Sequence, residues 1–283
     1  MREYREYFRP DENRPPLWLG LSSVTHALIV ANIFLFLAFV IGAFLIRPYL
    51  PGTSDAPADY ARKVLETLGL VPTAALGGGR AWQFLTYGFI HDPRAFPIHL
   101  VFNMLVLYFF GREVETLYGP RRFTVLYFAA SLFAGLVACL DYQPSVICGA
   151  SAAVYAVMVA YACHYPRRRI LFFFLFPLEV WALVGLLIGL DVAAYLKAGE
   201  PAGLAHLAGA LFGWLFYRLE PRFGIYLDRF ERHVAKQEHE HEEEIEARLD
   251  TLLEKISRDG MSALSKKERD FLKRASAHYQ NKV

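Results

Sequence analysis

Cysteine is scarce in this chain: Cys139, Cys148 and Cys163 are the only three among 283 residues, and all fall in apolar stretches. An odd number without ligand-like spacing argues against a disulfide framework and against a zinc site. The three are expected to be small buried hydrophobes, although Cys139 and Cys148 could approach one another across a short outer loop. No basic cluster suggests nucleic acid, and a formal net charge of +2 says little about partners. No small-residue cleavage site follows the first apolar run. The N-terminal arm sets Glu3, Glu6, Asp11 and Glu12 against Arg2, Arg5, Arg9 and Arg14. That acidity disfavours a mitochondrial transit peptide, so the first run reads as a retained anchor. A transporter or channel would carry charges near the midplane of several spans and a repeat between its halves, and neither is evident.

What is abundant is apolar length. Hydrophobic residues make up 55% of the chain, gathered into runs near the ~20 residues that cross a hydrocarbon core. The chain reads as an all-α polytopic membrane protein with six spans. They are expected at about 24–46, from Pro97 to Arg112, at 123–140, at 146–163, at 170–190 and at 203–216. A polar connection after the first span holds a short amphipathic helix near 58–70, with Tyr60, Val64, Leu65 and Leu68 apolar, and a Gly77-Gly78-Gly79 break. Asp141-Tyr142-Gln143-Pro144 turns the chain after the third span.

Basic residues set the orientation. The N-terminal arm, Arg112/Arg121/Arg122, Arg167-Arg168-Arg169 and Arg218/Arg222 fall on one side. An excess of positive charge marks the cytoplasmic side, so both termini are expected there, in a bacterial inner membrane. Three regions follow: a cytosolic arm 1–22, a membrane domain 23–222 and a charged tail 223–283. The tail carries Ile245, Leu249, Leu252, Leu253 and Ile256 at helical spacing,. Asp259-Gly260 should end that helix, and Ser265-Lys266-Lys267-Glu268 reads as a capping box opening another. A cytosolic helical hairpin results, with no partner indicated. His239 and His241 in the Glu-rich run are expected on a solvated helix face rather than on a metal.

With alternating direction, spans two, four and six all run from outside to inside. His99, Ser151 and His206 each lie near the start of one, so three polar groups distant in sequence share one depth. Asn103, four residues after His99, faces the same side of its helix. Polar groups inside a bilayer are costly and are usually retained for function. His206, Gly209 and Gly213 form an i, i+3, i+7 stripe, and Ala152, Ala156 and Ala160 a matching small-residue stripe. Small residues let backbones approach in lipid, which would bring an imidazole within the ~3 Å reach of a general base. Tyr155, one turn below Ser151, could support the ring. Singly, each feature has a plain reading: serine bonds its own backbone, a histidine bonds across helices, and small stripes merely pack. Their joint occurrence at one depth favours a nucleophile with its base.

These residues resemble the rhomboid intramembrane serine proteases. The resemblance rests on His99-Leu-Val-Phe-Asn103, Gly111-Arg112…Glu115…Gly119, Gly149-Ala-Ser151 and His206-Leu-Ala-Gly209…Gly213, in family order over about Trp82 to Phe216. It implies a six-transmembrane-helix rhomboid core, with Ser151 as nucleophile, His206 as general base and an acyl-enzyme intermediate. His99, Asn103 and the Ser151 backbone N–H would form the oxyanion hole, with Gly149, Tyr155, Gly209 and Gly213 in support. The family works with a dyad, without cofactor or metal. Asp191, the nearest carboxylate on a span end, is therefore expected to be structural or loop-solvating. Substrates would be single-span membrane proteins in the lipid bilayer, cut near the outer end of a helix weak enough to unwind. Ala152 stands where the family usually has glycine, adding one methyl at a close helix contact. A proteolytically silent rhomboid-like protein that binds membrane clients is the competing reading, and only Ala152 favours it.

Overall fold

The structure, a computed structural model, describes residues 23–46, 56–93, 98–141, 145–172, 176–199, 201–260 and 263–280. Two compact units divide it, Met1–Arg218 and Leu219–Val283.

In the first unit α1 spans Val24–Ile46. From Ala27 onward its side chains are apolar except for the buried Asn32, and large ones such as Phe34, Ile41 and Phe44 point out of the protein. A helix that is hydrophobic all round needs lipid or protein on every side. The first N–H groups of a helix lack partners within it. Here a distant residue supplies them: Glu115 accepts from Val24 N and Thr25 N at 2.8 and 2.9 Å, and from Thr25 Oγ1 at 2.6 Å.

The polar connection holds α2, Ala56–Leu68, followed by the short α3, Pro72–Leu76, and α4, Gln83–Thr86. The observed α2 thus begins and ends two residues before the 58–70 expected. Its orphan C-terminal carbonyls are met by side chains of the following segment. Gln83 Nε2 and Arg80 donate to Glu66 O at 2.8 and 3.1 Å, Trp82 Nε1 to Thr67 O at 2.9 Å, and Thr86 Oγ1 to Leu68 O at 2.6 Å. Side-chain hydrogen bonds thus tie residues 80–86 to the end of α2.

Ile98–Ala138 is helical over 41 residues. At 1.5 Å per residue that is roughly twice the ~30 Å hydrocarbon thickness, so it cannot be one straight span. It divides into α5, Ile98–Val106, a π-turn Leu107–Gly111, and α6, Arg112–Ala138. The break lies inside α6, at Gly119 (φ 77°, ψ 162°) before Pro120. Glycine supplies the left-handed φ, and proline removes a helical donor. Pro97 and residues 142–144 of the expected turn lie outside the described residues.

Two expected spans change. The fourth was expected from 146, but α7 runs Ser151–His164. Residues before it are extended, with Ile147 and Leu70 exchanging backbone hydrogen bonds at 2.8 Å. Gly149 at φ 114° cannot continue a helix. The fifth was expected from 170, but that stretch forms an antiparallel hairpin of β1, Arg169–Phe172, and β2, Phe176–Glu179, with Arg169 opposite Glu179 and Leu171 opposite Pro177. Helix α8 follows at Val180–Ala198. A continuous apolar run does not by itself separate a buried strand from a helix. Pro177 cannot donate, which suits a strand of a two-stranded sheet better than a helix interior.

Gly199 (φ 63°) ends α8, its N–H on Tyr195 O at 2.8 Å. Helix α9 then begins at Pro201 and runs to Asp259, beyond the 216 expected for the sixth span. The core of this unit surrounds α7, whose Ala152–Val154 and Ala156–Ala162 are all buried. Among the described residues the chain is mostly helical. Val24–Leu45, Ile98–Ala138 and Val180–Lys197 are long and apolar enough to cross a membrane, and Ser151–His164 is a shorter apolar helix.

In the second unit, α9 ends at Asp259 before Gly260 (φ 80°), and α10 spans Lys266–Gln280. The capping box forms: Ser265 N donates to Glu268 Oε2 at 2.7 Å and Glu268 N to Ser265 Oγ at 3.3 Å. Lys255 Nζ meets Glu268 Oε1 at 2.8 Å, and Arg248 lies 4.6 Å over the Phe271 ring. Such pairing of earlier with later residues makes the two helices antiparallel. Hydrogen bonds from Lys255 and Ser265 hold the Glu268 carboxyl down to about 2. The side chains of His239 and His241 lie outside those described.

Candidate active site

Ser151 is the first residue of α7, where backbone N–H groups have no partner inside the helix. The segment before it is pinned on several sides. Gly149 N donates to Tyr87 O at 2.9 Å, and the Tyr87 hydroxyl reaches Ser131 O at 2.5 Å. Ala150 N points at His91 Nε2, 3.4 Å away. His91 is 1% exposed. Burial first, and the neighbouring His99 second, push its pKa down to about 4, so the ring is neutral at pH 7 and can accept.

Glycine at 149 has a steric reason. A Cβ there would stand 2.9 Å from His99 Cε1, besides the strain of a positive φ. The His99 ring therefore lies directly against the loop that carries Ser151, edge-to-face with His91 at 5.5 Å. Asn103 is buried, and its Nδ2 donates to His99 O at 3.0 Å. One of its two amide hydrogens is thus turned to its own helix, and the other is left over.

Helix α9 approaches α7 through glycine. A Cβ on Gly209 would collide with the Ala152 backbone, and one on Gly213 with that of Ala156. The stripes read from the sequence are the contact. One turn before Gly209, His206 stands over the start of α7, its Nε2 2.7 Å from Ser151 Oγ. Tyr155 stacks on the imidazole, with centroids 4.8 Å apart and planes 9° from parallel.

Asp191 corrects the sequence reading. It lies within α8, not at a span end, because that span begins ten residues later than the expected 170. Its Oδ1 is 3.0 Å from His206 Nδ1, and its Oδ2 accepts a hydrogen bond from the Tyr155 hydroxyl. Of the two expected roles, structural and loop-solvating, these contacts fit the structural one. Sequence reasoning also passed over His91. The signal for Asp191 was present, since a carboxylate amid apolar helix residues is an intramembrane polar group in its own right. His91 offered none, because its burial depends on how the loop folds back.

The arrangement links a hydroxyl, an imidazole and a carboxylate in line. Among the described residues, no group of three or more His, Cys, Asp or Glu is disposed to hold a metal, and none of the three cysteines is in a disulfide.

A model of the rhomboid domain matches residues 78–222, and one of a family of unknown function (DUF6576) matches 231–278. The chain is similar to rhomboid protease GluP of Bacillus subtilis, 30% identical over 127 residues, which are 45% of this chain and 23% of that protein. It is 27% identical over 172 residues to RHOMBOID-like protein 6, mitochondrial, of Arabidopsis thaliana, covering 56% of this chain and 55% of the relative. Rhomboid protein 1, mitochondrial, of Saccharomyces cerevisiae is 32% identical over 130 residues, 42% of this chain and 36% of its own. The chain thus spans between 23% and 55% of the length of these relatives. The rhomboid match covers more than half of the chain and contains Ser151, His206, His99 and Asn103, and the protein is an integral membrane protein belonging to the rhomboid family.

Proposed function

We propose that this protein is an intramembrane serine endopeptidase that cuts single-span membrane proteins near the outer end of their spans. The observation that carries this reading is the 2.7 Å separation of His206 Nε2 and Ser151 Oγ at the starts of two apolar helices. Six spans are assigned: 24–46, 98–118, 120–138, 151–164, 180–198 and 201–218, with 1–22 a cytosolic arm and 223–283 a cytosolic tail. Helix α7 is 14 residues long, about 21 Å, and so falls short of the ~30 Å core. A helix this short can set Ser151 below the outer surface, where water has to reach it for hydrolysis to occur.

The reaction follows from the groups. Ser151 Oγ attacks the scissile carbonyl carbon while its proton passes to His206 Nε2. The carbonyl oxygen gains negative charge, which the Ser151 N–H and the side chains of His99 and Asn103 stabilise as donors. The C–N bond then breaks, His206 returns the proton to the departing amine, and an acyl-enzyme remains. Water repeats the sequence in reverse, giving its proton to His206 and freeing the acid as Ser151 is restored. A substrate helix must unwind locally, because its carbonyls are otherwise bonded.

The test is cleavage of a single-span substrate in reconstituted vesicles, with labelling by a fluorophosphonate. Wild type should cut and label, Ser151→Ala should do neither, and His206→Ala should not cut. Binding of substrate without cleavage or labelling by the folded wild type would favour the silent client-binding alternative.

A further inference from the structure

We propose that Asp191 is a positioning residue that holds the His206 imidazole in the tautomer and orientation the reaction requires, so that the site works as a Ser–His–Asp line braced by Tyr155. The inference rests on the proteolytic reading above and deepens it. Asp191 stands about 16 Å into α8 at 1.5 Å per residue, within an apolar helix where an unpaired carboxylate would be very costly. Only 17% of its side chain and 19% of that of His206 is exposed. Both its oxygens are engaged on this site, Oδ1 with His206 Nδ1 at 3.0 Å and Oδ2 with the Tyr155 hydroxyl.

The geometry dictates a protonation pattern. A carboxylate only accepts, so the nitrogen facing it carries the proton. Nδ1–H then donates to Asp191, which leaves Nε2 as the acceptor of the Ser151 hydroxyl proton at 2.7 Å. When that proton arrives, the imidazolium has N–H on both sides, and Asp191 keeps its negative charge and stabilises the cation without taking a proton. Tyr155 contributes twice. Its ring lies flat on the imidazole, and its hydroxyl secures the second carboxylate oxygen, which stops the Asp191 side chain from rotating away. The contact is also fixed from the backbone. A Cβ on Gly203 would stand 3.2 Å from Asp191 O, so α8 passes close to α9 one turn before His206. Three helices, α7, α8 and α9, thereby set one imidazole.

Two measurements test this. The first needs no activity: nitrogen NMR of the wild type with labelled histidine, His206 being assigned by the loss of its signal in His206→Gln. Neutral His206 should be the Nδ1–H tautomer, and an Nε2–H tautomer would overturn the proposal. The second is Asp191→Asn in the reconstituted assay. We expect kcat to fall by about 10²–10⁴, by analogy with the effect of neutralising the acid beside a catalytic histidine, with KM within twofold and fluorophosphonate labelling slowed in parallel. Unchanged kcat in folded Asp191→Asn would overturn it. So would equal losses in kcat and in the folded fraction, since those describe a structural residue. If Asp191→Asn fails to fold, the wild-type tautomer still decides. If instead Ser151→Ala cuts as well as wild type, the proteolytic reading fails while the tautomer measurement stands by itself.

Discussion

Gly209 of α9 lies so close to Ala152 of α7 that a methyl group on it would strike the Ala152 backbone. This approach, one turn from His206, sets the distance between imidazole and hydroxyl. Gly209→Ala should therefore push the helices apart, at about 1–3 kcal/mol for overpacking, and lower turnover more than stability. Ala152→Gly should be tolerated, whereas Ala152→Leu should destabilise or inactivate. Thermal melts in detergent beside cleavage rates check this; Ala152→Leu behaving as wild type would mean the helices do not meet there.

The His99 ring lies against the loop that carries Ser151, and Asn103 is buried one turn further along the same helix. Removing either should slow turnover by roughly 10²–10³. Substrate binding and slow phosphonate labelling should survive in His99→Ala and Asn103→Ala. Intact turnover in both variants would take α5 out of the chemistry.

Glu115 meets three donors at the start of α1. Leaving a buried donor unsatisfied costs about 1–3 kcal/mol, so Glu115→Ala should lower the melting temperature strongly. The fraction that stays folded should still accept the phosphonate, because Glu115 does not touch Ser151 or His206.

His91 gives the protein an acid sensitivity. Its folded pKa of about 4 lies below the ordinary 6.5. Between these values an unfolded chain binds the proton and the native state does not, so stability present above pH 6.5 is lost as the pH falls towards 4. The shift corresponds to about 3 kcal/mol. Melting temperatures across that window should fall more steeply for wild type than for His91→Gln, and parallel curves would remove His91 as the cause.

Truncation after Phe223 should leave cleavage in detergent intact. Every group assigned to the reaction precedes that point, and the tail match 231–278 lies wholly beyond it. A truncated protein that folds but does not cut would make the hairpin part of the active machinery.

The sequence by itself determined the membrane character, the first apolar helix and the tail hairpin with its capping box, and it singled out Ser151, His206, His99 and Asn103 as candidates. These are carried by local patterns: apolar length, small residues at helical spacing, and Ser265 three residues before Glu268. Tertiary structure decided the rest. The apolar run from 170 has the same composition as a helix or a strand, and pairing of Arg169 with Glu179 chose the strand. That choice moved Asp191 from a span end to the interior of α8. Residues 146–150 left the helix because Ile147 pairs with Leu70 and Gly149 takes a positive φ against His99. His91 became buried because its loop folds beneath Ser151. Contacts between residues far apart in sequence leave no periodic trace in it. The partners of Asp191 therefore emerge only when α7, α8 and α9 pack together, and those of His91 only when its loop meets α5 and the segment before α7.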